Sequence, residues 1–193
     1  VTPSPAPHRR PLAFWLLVVA AALSASLAWA EGGFRVARAI SQVREGVVLL
    51  DARIDYDFSK ATLDALHNGV PLTVEIEIEI LRSRDWAWDE TVAALTQRYR
   101  LEYHALARQY VVVNLNSGEF RSFPTRAAAL VYMGELNDFP VLDAALLDGR
   151  SSGSVYGRIR AGLDIEALPP PLRPVAYLSS AWRLGSPWLV WSL

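Results

Sequence analysis

Three glutamates at alternate positions, Glu75, Glu77 and Glu79, are the densest set of chemically capable side chains in the sequence. On an extended strand they stand in line on one face at ~7 Å intervals, and clustered carboxylates hold hard cations. The competing chemistry is ion pairing. If the chain folds back after this strand, Glu79 falls opposite Arg98 and Glu77 opposite Arg100. The same register sets Ile78 against Tyr99, Ile76 against Leu101 and Val74 against Tyr103. One face becomes a ladder of salt bridges and the other a core surface, each pair worth ~0.2–1 kcal/mol. Because the ladder accounts for both faces, no metal is assigned to the glutamates.

Histidine offers the next chemistry. Beyond His8, the chain has only His67 and His104, in separate segments, which is a poor basis for a metal centre. His104 lies in Tyr103-His104-Ala105-Leu106-Ala107-Arg108-Gln109-Tyr110, a polar and aromatic run. A general base needs a nucleophile or substrate within reach, and neither a Gly-x-Ser-x-Gly elbow nor a His-Glu-x-x-His pair is present. Cysteine is absent, which removes disulfides, thiolate metal sites and thiol catalysis, and Lys60 is the single lysine. No catalytic residue, cofactor or metal is therefore assigned. Tyr103, His104, Arg108 and Tyr110 are read as a binding patch.

Trp86 and Trp88 form a third candidate in Asp85-Trp86-Ala87-Trp88-Asp89. Two residues apart on an extended chain, they face one way and suit a carbohydrate ring, a lipid or a protein pocket. The bland alternative is a satellite cluster packed on the sheet. The run Leu168 to Pro174, with prolines at 169, 170, 171 and 174, reads as a stiff extended connector.

Strands must position these groups. Leu50, Ala52, Ile54, Tyr56 and Phe58 alternate with Asp51, Arg53, Asp55 and Asp57, a period of two with one wet face. Glu45-Gly46 turns the segment Phe34 to Arg44 into this strand. Ser59 caps a short helix in which Leu63, Leu66 and His67 share a face, stopped by Asn68-Gly69. Val70 to Arg82 is the next strand, and Thr91 to Leu115 reads as one long run. Asn116-Ser117-Gly118 is a hairpin turn into Phe120 to Phe123. A second helix runs from Thr125 to Met133, with Gly134 as its left-handed stop. Gly149 to Gly153 reads as a flexible loop, Val155 to Ile165 as a strand and Val175 to Trp182 as a short helix. The chain closes on a strand from Trp188 to Leu193, whose two tryptophans fall on opposite faces and suggest cover on both sides. The fold class is α+β and strand-dominated, one domain of seven or eight antiparallel strands with two or three short helices.

The first thirty residues differ from the rest. His8, Arg9 and Arg10 precede an uncharged run from Pro11 to Ala28, closed by Ala28-Trp29-Ala30. Cationic, apolar and small residues in that order are a secretory signal, with cleavage expected before Glu31. The alternative is an uncleaved anchor facing the periplasm, since about 18 apolar residues reach the lower limit for a span. Without residues 1–30 the chain keeps 17 basic and 20 acidic side chains, a net −3, so nucleic acid is not an expected partner. The 163 residues left are enough for one core without disulfides.

The spacing of Asp51-Ala52-Arg53-Ile54-Asp55-Tyr56, Ala65-Leu66-His67-Asn68-Gly69-Val70-Pro71-Leu72, Tyr103-His104-Ala105-Leu106, Leu163-Asp164, Leu168-Pro169-Pro170-Pro171-Leu172-Arg173 and Ala181-Trp182 resembles a proteobacterial exported family of unknown function. Its members are often labelled proline-rich signal peptide proteins. The resemblance implies export in a Gram-negative host and an association with a membrane sensor kinase of the nitrogen-regulation type. It implies no catalytic residues. The expected function is a non-catalytic periplasmic protein that binds another envelope component. A binding module for an apolar or carbohydrate ligand on the Trp86 and Trp88 loop comes second, and a hydrolase built on His104 third.

Overall fold

A computed structural model of the chain describes residues 32–84, 88–147 and 154–193. The leader, its cleavage site before Glu31, Trp86 and the loop from Gly149 to Gly153 lie outside the described residues. Strand β1 (Gly33–Arg44) turns at Glu45-Gly46 into β2 (Val47–Asp57). Both turn residues take positive φ, 52° and 79°, the geometry whose twist matches a tight antiparallel hairpin. Ser59 Oγ then accepts from the Thr62 amide and starts helix α1 (Lys60–His67), which Gly69 ends at φ 84°.

Four strands follow, β3 (Leu72–Arg82), β4 (Glu90–His104), β5 (Gln109–Asn114) and β6 (Phe120–Phe123). Helix α2 (Arg126–Gly134), capped by Thr125, leads into β7 (Glu135–Asp143). The chain finishes with β8 (Val155–Leu163), helix α3 (Arg173–Leu178) and β9 (Leu189–Ser192). All pairing is antiparallel. One sheet has the order β1-β2-β7 and the other β6-β5-β4-β3-β8-β9. The strand-dominated α+β class is as expected, with nine strands and three helices among the described residues.

The inner faces of the two sheets share one core. Phe34, Val36, Leu50 and Ile54 come from the smaller sheet, and Val74, Ile76, Ile78, Leu101 and Ile159 from the larger. Trp191 closes the seam, donating its indole N–H to Ser41 Oγ at 3.2 Å while its ring lies over Gly157. Alternation explains the layer: each strand sends every second side chain inward, and β3, central in its sheet, sends four isoleucine or valine side chains.

Five local expectations need correction. The β3–β4 register sets Glu75 opposite Arg98 and Val74 opposite Tyr99, four residues from the expected pairing. Strand β4 starts earlier than expected, at Glu90, which is paired with Arg82. Four is an even shift, so every residue keeps its face. The run Thr91 to Leu115 breaks at Ala105–Arg108, where Arg108 takes φ 50°. A turn without glycine, proline or asparagine leaves no composition signal.

Strand β7 falls in a stretch that reads as irregular. Two bulges, at Asn137-Asp138 and Val141, break its period, and Pro140 is tolerated because β7 is an edge strand. Gly134 does not act as a left-handed stop. A Cβ there would lie 2.1 Å from the Ile54 carbonyl oxygen, so glycine is needed for close approach of α2 to β2. The proline run is a turn, not a stiff connector: the Leu172 amide donates to the Pro169 carbonyl and Leu168 is buried.

Candidate functional site

The outer face of the six-stranded sheet carries the glutamate row, and each glutamate has an arginine. Arg98 pairs with Glu75 at 3.1 Å, Arg160 with Glu77 at 2.7 Å, and Arg158 donates to Glu79 at 2.7 Å. Two of the three arginines come from β8, on the side of β3 away from β4. Glu77 also holds the Arg160 proton more firmly than usual, chiefly through the hydrogen bond between them. Among the described residues no group of three or more histidine, aspartate or glutamate side chains is placed to hold a metal. Arg158 and Arg160 both stack over the Trp188 ring, each 4.5 Å from its centre. Trp188 and Trp191 are thus covered on opposite faces, one by guanidinium groups and the other by the core. The signal for β8 was its own alternation, Arg158 and Arg160, which matches the glutamates in spacing.

The expected binding patch around His104 divides between the two faces. Tyr103 and Tyr110 are direct cross-strand partners on the inner side, with ring centres 4.9 Å apart. His67 from α1 completes that cluster, edge-on to Tyr103 and 2.9 Å from the Tyr110 hydroxyl. His104 points to the other face, where its Nε2 lies 3.3 Å from Glu102 Oε2. Arg108 is exposed in the turn between them. His67 was read as part of a helix face, and only the topology brings it to the tyrosines.

The tryptophan loop sits at the far end of β4, about 45 Å from His104 at the rise of an extended strand. Trp88 is 95% exposed. Its surroundings are firmly tied. Arg84 and Arg82 both reach Glu90, at 2.6 and 3.5 Å, and Arg82, itself buried, donates to the Leu146 carbonyl at 2.9 Å. The Tyr156 hydroxyl bonds to Asp89, which raises the phenol above its ordinary range, and the Ser83 amide donates to Ser154. Trp88 therefore stands beside a tied segment at the start of β4.

Two clefts lie near the smaller sheet. One of about 190 Å³ is lined by Asp55, Tyr56, Leu130 and Glu135, and burial pushes the Tyr56 phenol far above its ordinary range. The Tyr56 hydroxyl donates to the Met133 carbonyl, so it is a structural group. The other, about 500 Å³, surrounds the first β7 bulge. There Asp138 takes φ 48°, its amide donates to Asp51, and its carboxylate meets Arg44 at 3.1 Å and Gln42 at 3.2 Å. The polar groups of the bulge satisfy one another, the pattern of an edge strand protected from further pairing.

A two-sheet antiparallel domain with a solvent-facing tryptophan just before β4 is the class these features define. The chain belongs to the family described as Domain of unknown function (DUF4390), whose model matches residues 31–192. No curated protein and no solved structure matches the chain.

Proposed function

We propose that this is an exported, non-catalytic contact domain of the cell envelope, which binds another envelope protein through the loop between β3 and β4. The observation that carries the reading is Trp88, 95% exposed beside a base tied by Arg82, Arg84, Glu90 and Tyr156. Exposed aromatic side chains are the anchors that dominate interface energies, and the ties on either side of Trp88 limit how far its backbone can move. Export is supported by the order of residues 1–30, cationic then apolar then Ala28-Trp29-Ala30. The resemblance to proteobacterial exported proteins supports a Gram-negative periplasm and suggests the extracytoplasmic part of a membrane sensor kinase as the partner.

The test is complementation of a deletion strain, with thermal melts to confirm folding. Trp86→Ala with Trp88→Ala gives a folded protein that fails to complement, since losing an anchor costs ~2 kcal/mol or more, about thirtyfold in affinity. His104→Ala complements. A folded but dead His104→Ala beside a fully active double tryptophan variant would replace contact with hydrolysis, because a general base contributes ~10²–10⁴-fold to rate.

A further inference from the structure

We propose that the larger cleft on the outer face of the three-stranded sheet binds a small polar carboxylate, held between Arg38 and Arg53. The cleft, of about 500 Å³, is within the size of natural ligand sites, and only Ala52 and Leu136 in its lining are apolar. Two bulges shape it. In β1 the register slips between Val36 and Arg38. Val36 and Ala39 are buried while Ala37 and Arg38, between them, are both exposed, so the bulge turns Arg38 onto the outer face. In β7 the register slips between Leu136 and Phe139, so that Asn137 and Asp138 stand against Asp51 alone. The two bulged strands flank β2, and Arg38, Asp51, Asn137 and Asp138 all line the one cleft. Bulges so placed re-aim side chains toward a site.

Charge says what the cleft takes. Arg38 and Arg53 are direct cross-strand partners, and like charges so placed repel each other. A carboxylate between them would turn the repulsion into attraction, and no side chain of the described residues supplies it. Arg38 has no ion pair or side-chain hydrogen bond among the described residues. Arg53 reaches only Asp55, at 3.5 Å, and Asp55 is already held by Arg35 at 2.8 Å.

The remaining acids of the lining are engaged elsewhere or lie too far across the sheet. Asp138 pairs with Arg44 and accepts from Gln42, and Asp51 accepts the Asp138 amide. Glu135 faces Arg53 from β7, so its backbone is two strand spacings, ~10 Å, from that of Arg38. Two guanidinium groups side by side offer the planar donor forks that a carboxylate fits. With Asp51, Glu135 and Asp138 in the same lining, one negative charge is tolerated better than the two of a phosphate. The Asn137 amide, also without a side-chain partner among the described residues, is left for the polar remainder of the ligand.

The full chain is titrated with sodium acetate against sodium chloride at constant ionic strength, and the arginine Nε–H resonances are followed by nuclear magnetic resonance. Arg183, exposed and without a side-chain partner among the described residues, reports how an ordinary surface arginine responds. Arg38 and Arg53 shift together along one saturating curve, and Arg183 does not saturate. Arg38→Gln weakens the response of Arg53 about tenfold or more, since a hydrogen bond to a charged group is lost, and Arg53→Gln does the same to Arg38. Arg38→Gln also raises the thermal midpoint in chloride, because it removes the repulsion. Site arginines that respond no more than Arg183, or an Arg53 curve that Arg38→Gln leaves unchanged, overturn the proposal. A lowered midpoint for Arg38→Gln would mean that the chain itself holds Arg38, and overturns it too. Inorganic phosphate in place of acetate binds more weakly, and saturation by phosphate alone overturns the choice of carboxylate. None of these outcomes bears on the tryptophan loop, which belongs to the six-stranded sheet.

Discussion

Glu90 holds two arginines at once, at the start of β4 beside Trp88. Its carboxyl sits below its ordinary value of 4.5, first through the hydrogen bond from Arg84 and then through the charges of Arg84 and Arg82. A carboxyl lowered by folding contributes stability above its unfolded value, and the contribution is lost as pH falls through the lowered one. Asp55 behaves in the same way through Arg35. Stability is therefore expected to stay level from neutral to about pH 5 and to decline below that. Glu90→Gln should remove part of the decline and lower the plateau slightly, since exposed pairs are worth little. Thermal melts of both proteins from pH 7 to 3 check this, and parallel curves would mean that the pair contributes nothing. At this scale the sequence placed Trp88 in an acid-flanked loop but favoured packing of that loop on the sheet, and Trp88 is instead 95% exposed. It was silent on Glu90, because only the fold brings Arg82 and Arg84 to it.

Strands were legible wherever a period of two ran unbroken. The alternation of Val74, Ile76, Ile78 and Ile80 with glutamates fixed which side faces the core, and the even register error left that unchanged. Pairing is harder to read, since a central strand has two neighbours and the sequence shows only one candidate at a time. Glu77 accordingly couples to Arg160 of β8 and not to Arg100. A double-mutant cycle of Glu77→Arg with Arg160→Glu should show ~0.2–1 kcal/mol of coupling, while Glu77→Arg with Arg100→Glu should be additive. Coupling in the second cycle and none in the first would restore the earlier register. Strand β7 was hidden by its bulges and proline, and the β4–β5 reversal by Arg108, which occupies a conformation that glycine or asparagine usually signals. Gly134 gives the sharpest contrast at this scale. Gly118 has positive φ but open space around it, whereas Gly134 has ordinary φ and the Ile54 backbone 2.1 Å from a Cβ. Gly134→Ala should cost ~3 kcal/mol or more, because backbone cannot yield as a side chain does, against ~1–2 kcal/mol for Gly118→Ala. Urea denaturation of the two variants ranks them, and a milder Gly134→Ala would mean that α2 moves freely off β2.

Residues 31–193 form one compact unit without a disulfide, so cohesion rests on the core that the two sheets share. Leu50 on the three-stranded sheet and Ile78 on the six-stranded sheet are both completely buried in that core. Helix α2 adds a second tie: it packs on β2 of one sheet and on β5 of the other. Separated from the larger sheet, the β1-β2-β7 sheet would expose Phe34, Val36, Leu50 and Ile54, which are buried in the shared core. Unfolding should therefore be a single transition, in which tryptophan fluorescence and far-ultraviolet dichroism coincide across urea. Leu50→Ala and Ile78→Ala should each lower its midpoint by the equivalent of ~2–5 kcal/mol with the slope unchanged, although they sit on different sheets. A first transition that moves only with Leu50→Ala, followed by a second that moves only with Ile78→Ala, would show two sheets that fold separately. In that case the seam at Trp191 and Ser41 would join two bodies, and the tryptophan loop would stay with the six-stranded one.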